Sequence, residues 1–374
     1  YGDNPLVYGP YFNQRPISIE SGKPSYYRGE EEYYQVDKNR EYEYESDAKG
    51  VFPRMWSTQD RHANEYIYWG RMNEADLYDV RRDAEGNPMM NQFGTYSYDR
   101  GRPVGAPTFG QNLRFFFRYQ VGYMYLRYFM WNFAGRQNDI QGHGELTKGN
   151  WISGIKFVDQ ARLGPQRNMP ASIVENKGHN KYYLLPLLLG LAGAFFHYKR
   201  HNRDFWVVGL LFVLTGLAIL VYLNQYPIQP RERDYAYSGS FYAFALWIGI
   251  GVAGLIEWAS KWKRSVVFAG VLVLVSLILV PGIMATQNWD DHDRSGRYTA
   301  PAFARNFLNS CLPGGIMFTN GDNDTFPLWY IQEVEGVRTD VRIVNLSYLT
   351  ADWYIEQMKQ TFYDSYALPI SMTK

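Results

Sequence analysis

Apolar residues are gathered along this chain, not spread through it. Four long apolar runs lie at 181–198, 205–223, 241–259 and 266–285. Each is close to the ~20 residues that a helix needs to cross a bilayer. The flanking sequence is mixed and is broken by Gly and Pro. The pattern predicts a polytopic α-helical membrane protein with four spans. An extracytoplasmic, Tyr-rich α+β region precedes the spans, and an extracytoplasmic α/β segment follows them. The expected divisions are 1–110, an interfacial helix and connector at 111–180, the spans at 181–285, and a C-terminal segment at 286–374.

Within the first region, 31–34 and 41–45 flank Asp37, Lys38 and Asn39, which reads as a β-hairpin with its turn at those three residues. Tyr33, Tyr42 and Tyr44 are expected on one face of it. The apolar insertion at 51–56 reads as a docking edge, and 66–69 as a further strand. Gly86-Asn87-Pro88 and the run from Gly101 to Pro103 are turn signals.

The stretch at 111–134 has helical character but carries Arg114, Arg118 and Arg127. Three arginines argue against a lipid-embedded span. Two placements fit: a helix lying in the headgroup plane, or a buried helix of the outer domain.

Short connectors set the topology. Lys199, Arg200 and Arg203 fill the first one, and Lys261, Lys263 and Arg264 the third. Positive charge in short loops marks the cytoplasmic side, so the middle loop and both flanking regions are expected outside. In the third run Ala245, Gly249 and Ala253 recur every fourth residue, a small stripe suited to close helix packing. Glu257 lies one turn from Lys261 and reads as a snorkelling or paired end residue.

After the last run, a helix near Thr299, strands at 315–319 and 341–346, and helices at 326–335 and 352–361 alternate. Such alternation predicts two adjacent parallel strands. The strands are too few to close a domain, so the segment is expected to continue past Lys374, and the chain reads as a piece of a longer protein.

Composition changes this picture little. The 374 residues carry a net charge of +1, so no global field points to nucleic acid. The mean hydropathy of −0.38 conceals the four apolar runs. Aromatic residues make up 17% of the chain, a content suited to membrane interfaces and sugar-binding faces alike. With a single cysteine, Cys311, no internal disulfide is possible. No P-loop, dinucleotide fingerprint or Ser-His-Asp pattern is present, no cofactor is expected and no metal-binding residue is assigned.

Three clusters could carry chemistry. The loop between the second and third runs holds Arg231, Glu232, Arg233 and Asp234, followed by Tyr235 and Tyr237, and is bounded by Pro227 and Pro230. One reading is an ion-pair cluster within an aromatic belt. The other is a site for an anionic lipid headgroup, with Arg231 and Arg233 on the phosphate, Asp234 orienting one of them and Tyr235 stacking on sugar or lipid. Asp290, Asp291, His292 and Asp293 lie just outside the last run, as solvated charges or, with partners such as Asp322 and Asp324, as oxygen ligands for a divalent ion. Asp322, Asn323 and Asp324 lie where a strand gives way to a helix, the edge at which open α/β sheets bind ligands. Helix capping by Asp324 or Thr325 is the alternative reading.

Several stretches together resemble a known family: YQVGYMY at 119–125, RYFMWNFAGRQND at 127–139, YLNQ at 222–225, QPRERDYAY at 229–237, NWDDHDRS at 288–295, GDNDTFPLWY at 321–330 and EVEGVRTDVR at 333–342. The chain resembles a large bacterial membrane-protein family catalogued as domain-of-unknown-function family 2723. That family is related to transmembrane protein O-mannosyltransferases of the GT-C type. The resemblance implies an integral protein of the bacterial inner membrane. It implies transfer of a sugar from a polyprenyl-phosphate donor to Ser or Thr of an exported acceptor protein, with membrane lipid as the other partner. It also implies an acidic catalytic base in the first outward loop, upstream of this sequence, so no catalytic residue is assigned here. The alternative is a non-enzymatic membrane scaffold or sugar-lipid transporter with glycan- or protein-binding outer domains.

Overall fold

The computed structural model describes all residues except 1–7, 13–17, 29–32, 58, 104, 168, 263–265 and 371–374. The chain divides into two compact units, Tyr1–Asp291 and His292–Lys374.

The first unit begins with short antiparallel pairings. Tyr8–Pro10 pairs with Lys49–Val51, Ser18–Arg28 with Tyr33–Glu43, and Tyr78–Val80 with Tyr98–Pro103. A hairpin therefore forms where the sequence predicts one, but its turn is elsewhere. Asp37 and Lys38 lie inside a strand, opposite Ser25 and Pro24. The chain reverses between Arg28 and Tyr33, and the expected start of the first strand at 31–32 falls outside the described residues. Tyr42 is exposed, while Tyr44 meets the edge of Trp56.

Four further expectations are corrected, borne out or sharpened. The 66–69 stretch is helical, within Ala63–Gly70. Ala63, Tyr66 and Trp69 recur at three-residue spacing and all three are buried, so packing overrides the strand preference of an aromatic-rich run. The run from Gly101 to Pro103 is strand and not turn. The turn before Pro88 does form: the Asn87 N–H donates to Asp83 Oδ1 at 2.7 Å, and Gly86 takes a φ of +87°. The 51–56 insertion is docked, with Met55 fully buried and its N–H donating to Asn112 Oδ1 at 2.7 Å.

One long helix follows at 109–133. Thr108 and Gln111 form a capping box at its start. Phe109–Phe115 is α-helical, Phe116–Leu126 widens into a π-helix, and Arg127–Phe133 returns to α. One face of its middle is buried in protein. Phe115, Tyr119, Met124, Tyr125, Tyr128 and Trp131 form the main core with Tyr66, Trp69 and Tyr237.

Among the described residues three helices are long and apolar enough to cross a membrane: Asn202–Leu223, Asp234–Ser260 and Val266–His292, of 22, 27 and 27 residues. The first is interrupted at Gly216, between Asn202–Thr215 and Leu217–Leu223. The third holds a π turn, Ile278–Gly282, at Pro281, whose missing N–H breaks the regular ladder. The first of the four apolar runs forms the helix Leu185–Arg200, of only 16 residues. At 1.5 Å per residue it is about 24 Å long, short of the ~30 Å hydrocarbon core.

Leu185–Arg200 packs along Ser238–Ser260 through glycines. A Cβ on Gly193 would sit 1.8 Å from the Trp247 carbonyl oxygen, and one on Gly251 2.4 Å from that of Leu189. The expected stripe is on the other side of the helix: Ala245, Gly249 and Ala253 are exposed, and a Cβ on Gly249 meets nothing within 4 Å. Four-residue spacing identifies a face without saying which face is covered. Glu257 pairs with Arg200 at 3.8 Å. Of the third connector's cations, Lys263 and Arg264 lie outside the described residues.

The second unit bears out the parallel pair. Ile316–Thr319 lies beside Arg342–Asn345 in parallel register, Ile316 opposite Arg342 and Thr319 opposite Asn345. Helices Thr299–Ser310 and Asp322–Glu333 bury Ala304, Leu308, Leu328 and Ile331 against Val341 and Ile343. Asp352–Met358 follows, shorter than expected.

Candidate functional site

The loop at 224–237 is fixed from within the first unit. Asn224 closes the preceding helix at a φ of +38°, a conformation that Asn tolerates better than most residues. Gln120 on the long helix donates to Asn224 Oδ1 and to the Gln225 carbonyl, both at 3.0 Å. Tyr119 donates to the Tyr226 carbonyl at 3.2 Å, and Tyr237 to Gln225 Oε1 at 3.0 Å. Gln141 reaches the Gln229 carbonyl at 2.5 Å. The carbonyls of Gln225, Tyr226 and Gln229 are thus taken up by side chains of the unit, which holds the loop in place.

At its centre Arg127 forks onto Glu232. Nη1 donates to Oε1 at 3.2 Å and Nη2 to Oε2 at 2.7 Å. Arg127 is 4% exposed and the Glu232 side chain 19%. The guanidinium also donates to the carbonyls of Tyr123 and Gly149, at 3.0 and 2.7 Å. It lies 3.9, 4.4 and 4.7 Å from the ring centres of Tyr123, Tyr128 and Trp131. Gly149 has no room for a side chain: φ is +56°, and a Cβ would stand 3.1 Å from Arg127 Nη1. Burial pushes the Tyr128 phenol well above its usual range, so it stays protonated and donates to Glu232 Oε2. Its oxygen accepts the Arg233 N–H at 3.1 Å. Glu232 thus accepts two hydrogen bonds from Arg127 and one from Tyr128.

The four site residues expected in this loop are arranged around that pair. Arg231 is exposed and lies 5.4 Å from the Tyr235 ring centre. Arg233 is half-buried, and its Nε is buried without a hydrogen-bond partner among the described residues. Asp234 forms no ion pair with either arginine among the described residues. It opens the turn Asp234–Tyr237 that leads into Ser238–Ser260, where a carboxylate favours the positive end of the helix. The carboxylate that does take an arginine here is Glu232, and that arginine comes from the long helix.

A second polar cluster lies beside the pairing of Gly135–Arg136 with Asn180–Lys181. Arg136 binds Asp291 Oδ2, and Asn180 donates to Asp291 Oδ2 at 3.1 Å and to Asn288 Oδ1 at 3.0 Å. Tyr182 and Asn288 are also hydrogen-bonded. Asn288 and Asp291 thus dock the last long helix against this pairing, which gives Asp291 a structural role. Asp290 and His292 are exposed. Trp131 connects the two clusters, with Arg127 over its ring at 4.7 Å and Arg136 at 5.5 Å.

In the second unit Asp324 caps its helix, accepting the N–H groups of Asn320 and Gly321 at 2.8 Å each. Those bonds lower its pKa. Tyr348 donates to Asp322 at 3.4 Å, and Asn323 is exposed. Among the described residues no group of three or more His, Cys, Asp or Glu is gathered for a metal ion.

The residues that sequence reasoning passed over are Arg127, Tyr128 and Glu232 acting together. The signal available was an arginine inside an aromatic helix, which needs a partner, and a glutamate between two arginines at a membrane boundary.

Comparison with known proteins adds three findings. Residues 300–374 match a family model described as TMEM260-associated domain 2. Residues 2–117 match one described as a family of unknown function, DUF8416. Over 116 residues, 30% of this chain, the sequence is 29% identical to the Mus musculus protein described as Protein O-mannosyl-transferase TMEM260. The matched stretch is 16% of that relative's length. No solved structure matches the chain. These findings support a relation to the TMEM260 protein. The narrower likeness to family 2723 rests on the sequence motifs alone.

Proposed function

We propose that this chain is part of a glycosyltransferase-like protein of the bacterial inner membrane. It would take a sugar from a polyprenyl-phosphate donor and pass it to Ser or Thr of an exported protein. In this reading Arg231 and Arg233 hold the lipid phosphate at the outer face, and Tyr235 stacks on sugar or lipid. Asp234 stands at the head of the next helix. The four apolar helices, the short Leu185–Arg200 included, lie in the membrane with both flanking regions outside.

One observation carries the proposal. In a loop joining two helices able to span a membrane, one arginine–carboxylate pair is satisfied internally, which leaves Arg231 exposed and Arg233 Nε without a partner among the described residues. An anion at a low-dielectric boundary is held best by charge-assisted, bidentate bonds. The partial likeness to a protein named as an O-mannosyl-transferase supports the sugar-transfer part of the reading.

The test is binding of undecaprenyl phosphate to the chain in nanodiscs of neutral lipid. Arg231→Lys and Arg233→Lys keep the charge and lose the fork. Each is expected to weaken binding by roughly 1–3 kcal/mol, the scale of a charged hydrogen bond. Equal affinity in wild type and both variants would leave the loop as a structural ion-pair cluster.

A further inference from the structure

The second unit contains a cavity of about 500 Å³, bordered by Arg342–Asn345, Asp352–Met358 and the segment around Phe362. That volume suits a small molecule, since ligand sites run from roughly 300 to 1,000 Å³. Part of its wall is aromatic. Trp329 stacks on Tyr348 at 6.2 Å and 26°, and Tyr348 meets Trp353 at 6.2 Å and 45°. Three rings in series make a surface for another flat or ring-shaped group.

Arg342 lines the same cavity and is 4% exposed. Its Nη2 donates to the carbonyls of Gln357 and Gln360, each at 2.9 Å, and its Nη1 to Ser365 Oγ at 3.2 Å. Those acceptors are neutral. Its Nε has no partner, and no carboxylate pairs with it, among the described residues. Glu333 also borders the cavity, but it is exposed and accepts the Tyr363 hydroxyl at 2.6 Å. A buried cation with only neutral partners is costly, and an anion in the cavity would offset that cost.

We infer that this cavity binds a small organic anion, a carboxylate or phosphate carried on a sugar or aromatic ring. Arg342 attracts the anionic group, and Trp329, Tyr348 and Trp353 receive the ring. The reading is independent of the phosphate site at Arg231 and Arg233.

The full chain in detergent is titrated by calorimetry with four probes: a hexose 1-phosphate, the free hexose, inorganic phosphate and indole-3-acetate. At least one ring-bearing anion is expected to bind saturably, and at least tenfold more tightly than the hexose or phosphate alone. Which of the two binds identifies the ring as sugar or aromatic. Arg342→Met is expected to lose at least tenfold in affinity. Because that buried change can also lower stability, two exposed positions decide independently. Trp353→Ala weakens binding of the ring anion, and Glu333→Gln strengthens it by removing a like charge from the rim. Arg231→Lys leaves it unchanged, which separates this cavity from the loop. The inference is overturned if neither ring anion binds, if Trp353→Ala and Glu333→Gln both leave affinity unchanged, or if Arg231→Lys abolishes binding.

Discussion

Arg127 and Glu232, 105 residues apart in sequence, meet as a forked ion pair with bonds of 2.7 and 3.2 Å. The pair fixes the charged loop to the long aromatic helix. A buried pair contributes little net stability over an apolar replacement, but half of one is expensive. Arg127→Met and Glu232→Gln are each expected to cost about 3–5 kcal/mol, since each leaves an uncompensated group. The double variant should recover a large part of that loss. A double-mutant cycle from denaturant melts in detergent measures it, and simple additivity would mean the pair is not coupled.

The same geometry predicts a phenotype for Tyr128. Its hydroxyl donates to Glu232 and accepts the Arg233 N–H, so it links the ion pair to the chain next to the candidate site. Tyr128→Phe leaves the ring stack but strands one N–H and one carboxylate lone pair. A loss of about 1–3 kcal/mol is expected from those unsatisfied groups. Hydrogen exchange should show faster opening at Arg233 than at the Leu185–Arg200 helix, and unchanged exchange at Arg233 would contradict this role.

Two glycines on one helix should respond in opposite ways. A Cβ on Gly251 would stand 2.4 Å from the Leu189 carbonyl, against nothing within 4 Å at Gly249. Gly251→Ala is expected to destabilise the helix pair by about 1–3 kcal/mol through overpacking. Gly249→Ala should be neutral or stabilising by up to about 1 kcal/mol, from helix propensity alone. Melting temperatures of the two variants in one detergent test this, and equal shifts would mean that the close approach at Gly251 is unimportant.

These cases show what was legible beforehand. The apolar runs were, because a bilayer demands length and composition, and both can be counted. The parallel pair Ile316–Thr319 and Arg342–Asn345 was, because alternating strands and helices leave few topologies. The face of Ser238–Ser260 that meets its neighbour was not, since small residues occur on more than one side of it. The partner of Arg127 was not legible either. Sequence shows that a cation within an aromatic helix needs an anion, but Glu232 is brought to it only by tertiary folding. The helix at Ala63–Gly70 was misread because Tyr, Ile and Trp favour strands until packing selects a three-residue spacing. Arg342 lay within a quoted motif, yet nothing local marks it as buried without a carboxylate.

The last prediction concerns acid. His62 is fully buried, stacks on Tyr226 of the loop at 4.6 Å and 17°, and shares a 2.7 Å hydrogen bond from Nδ1 to Ser57 Oγ. Its Nε2 is buried without a partner among the described residues. Burial, aided by the nearby charge of Arg61, lowers its pKa from 6.5 to about 4. The folded protein therefore holds His62 neutral where the unfolded chain would protonate it. Between pH 6.5 and about 4 the unfolded state binds more protons, so stability rises with pH across that window. The contribution is complete above pH 6.5 and is lost progressively as pH falls toward 4. His62→Gln removes the titration while keeping a polar side chain. Thermal melts in detergent at pH 7.5, 6.5, 5.5 and 4.5 should show a steeper acid loss for wild type than for His62→Gln. Parallel curves would mean that His62 titrates near its ordinary value, and that its stack on Tyr226 does not depend on the neutral ring.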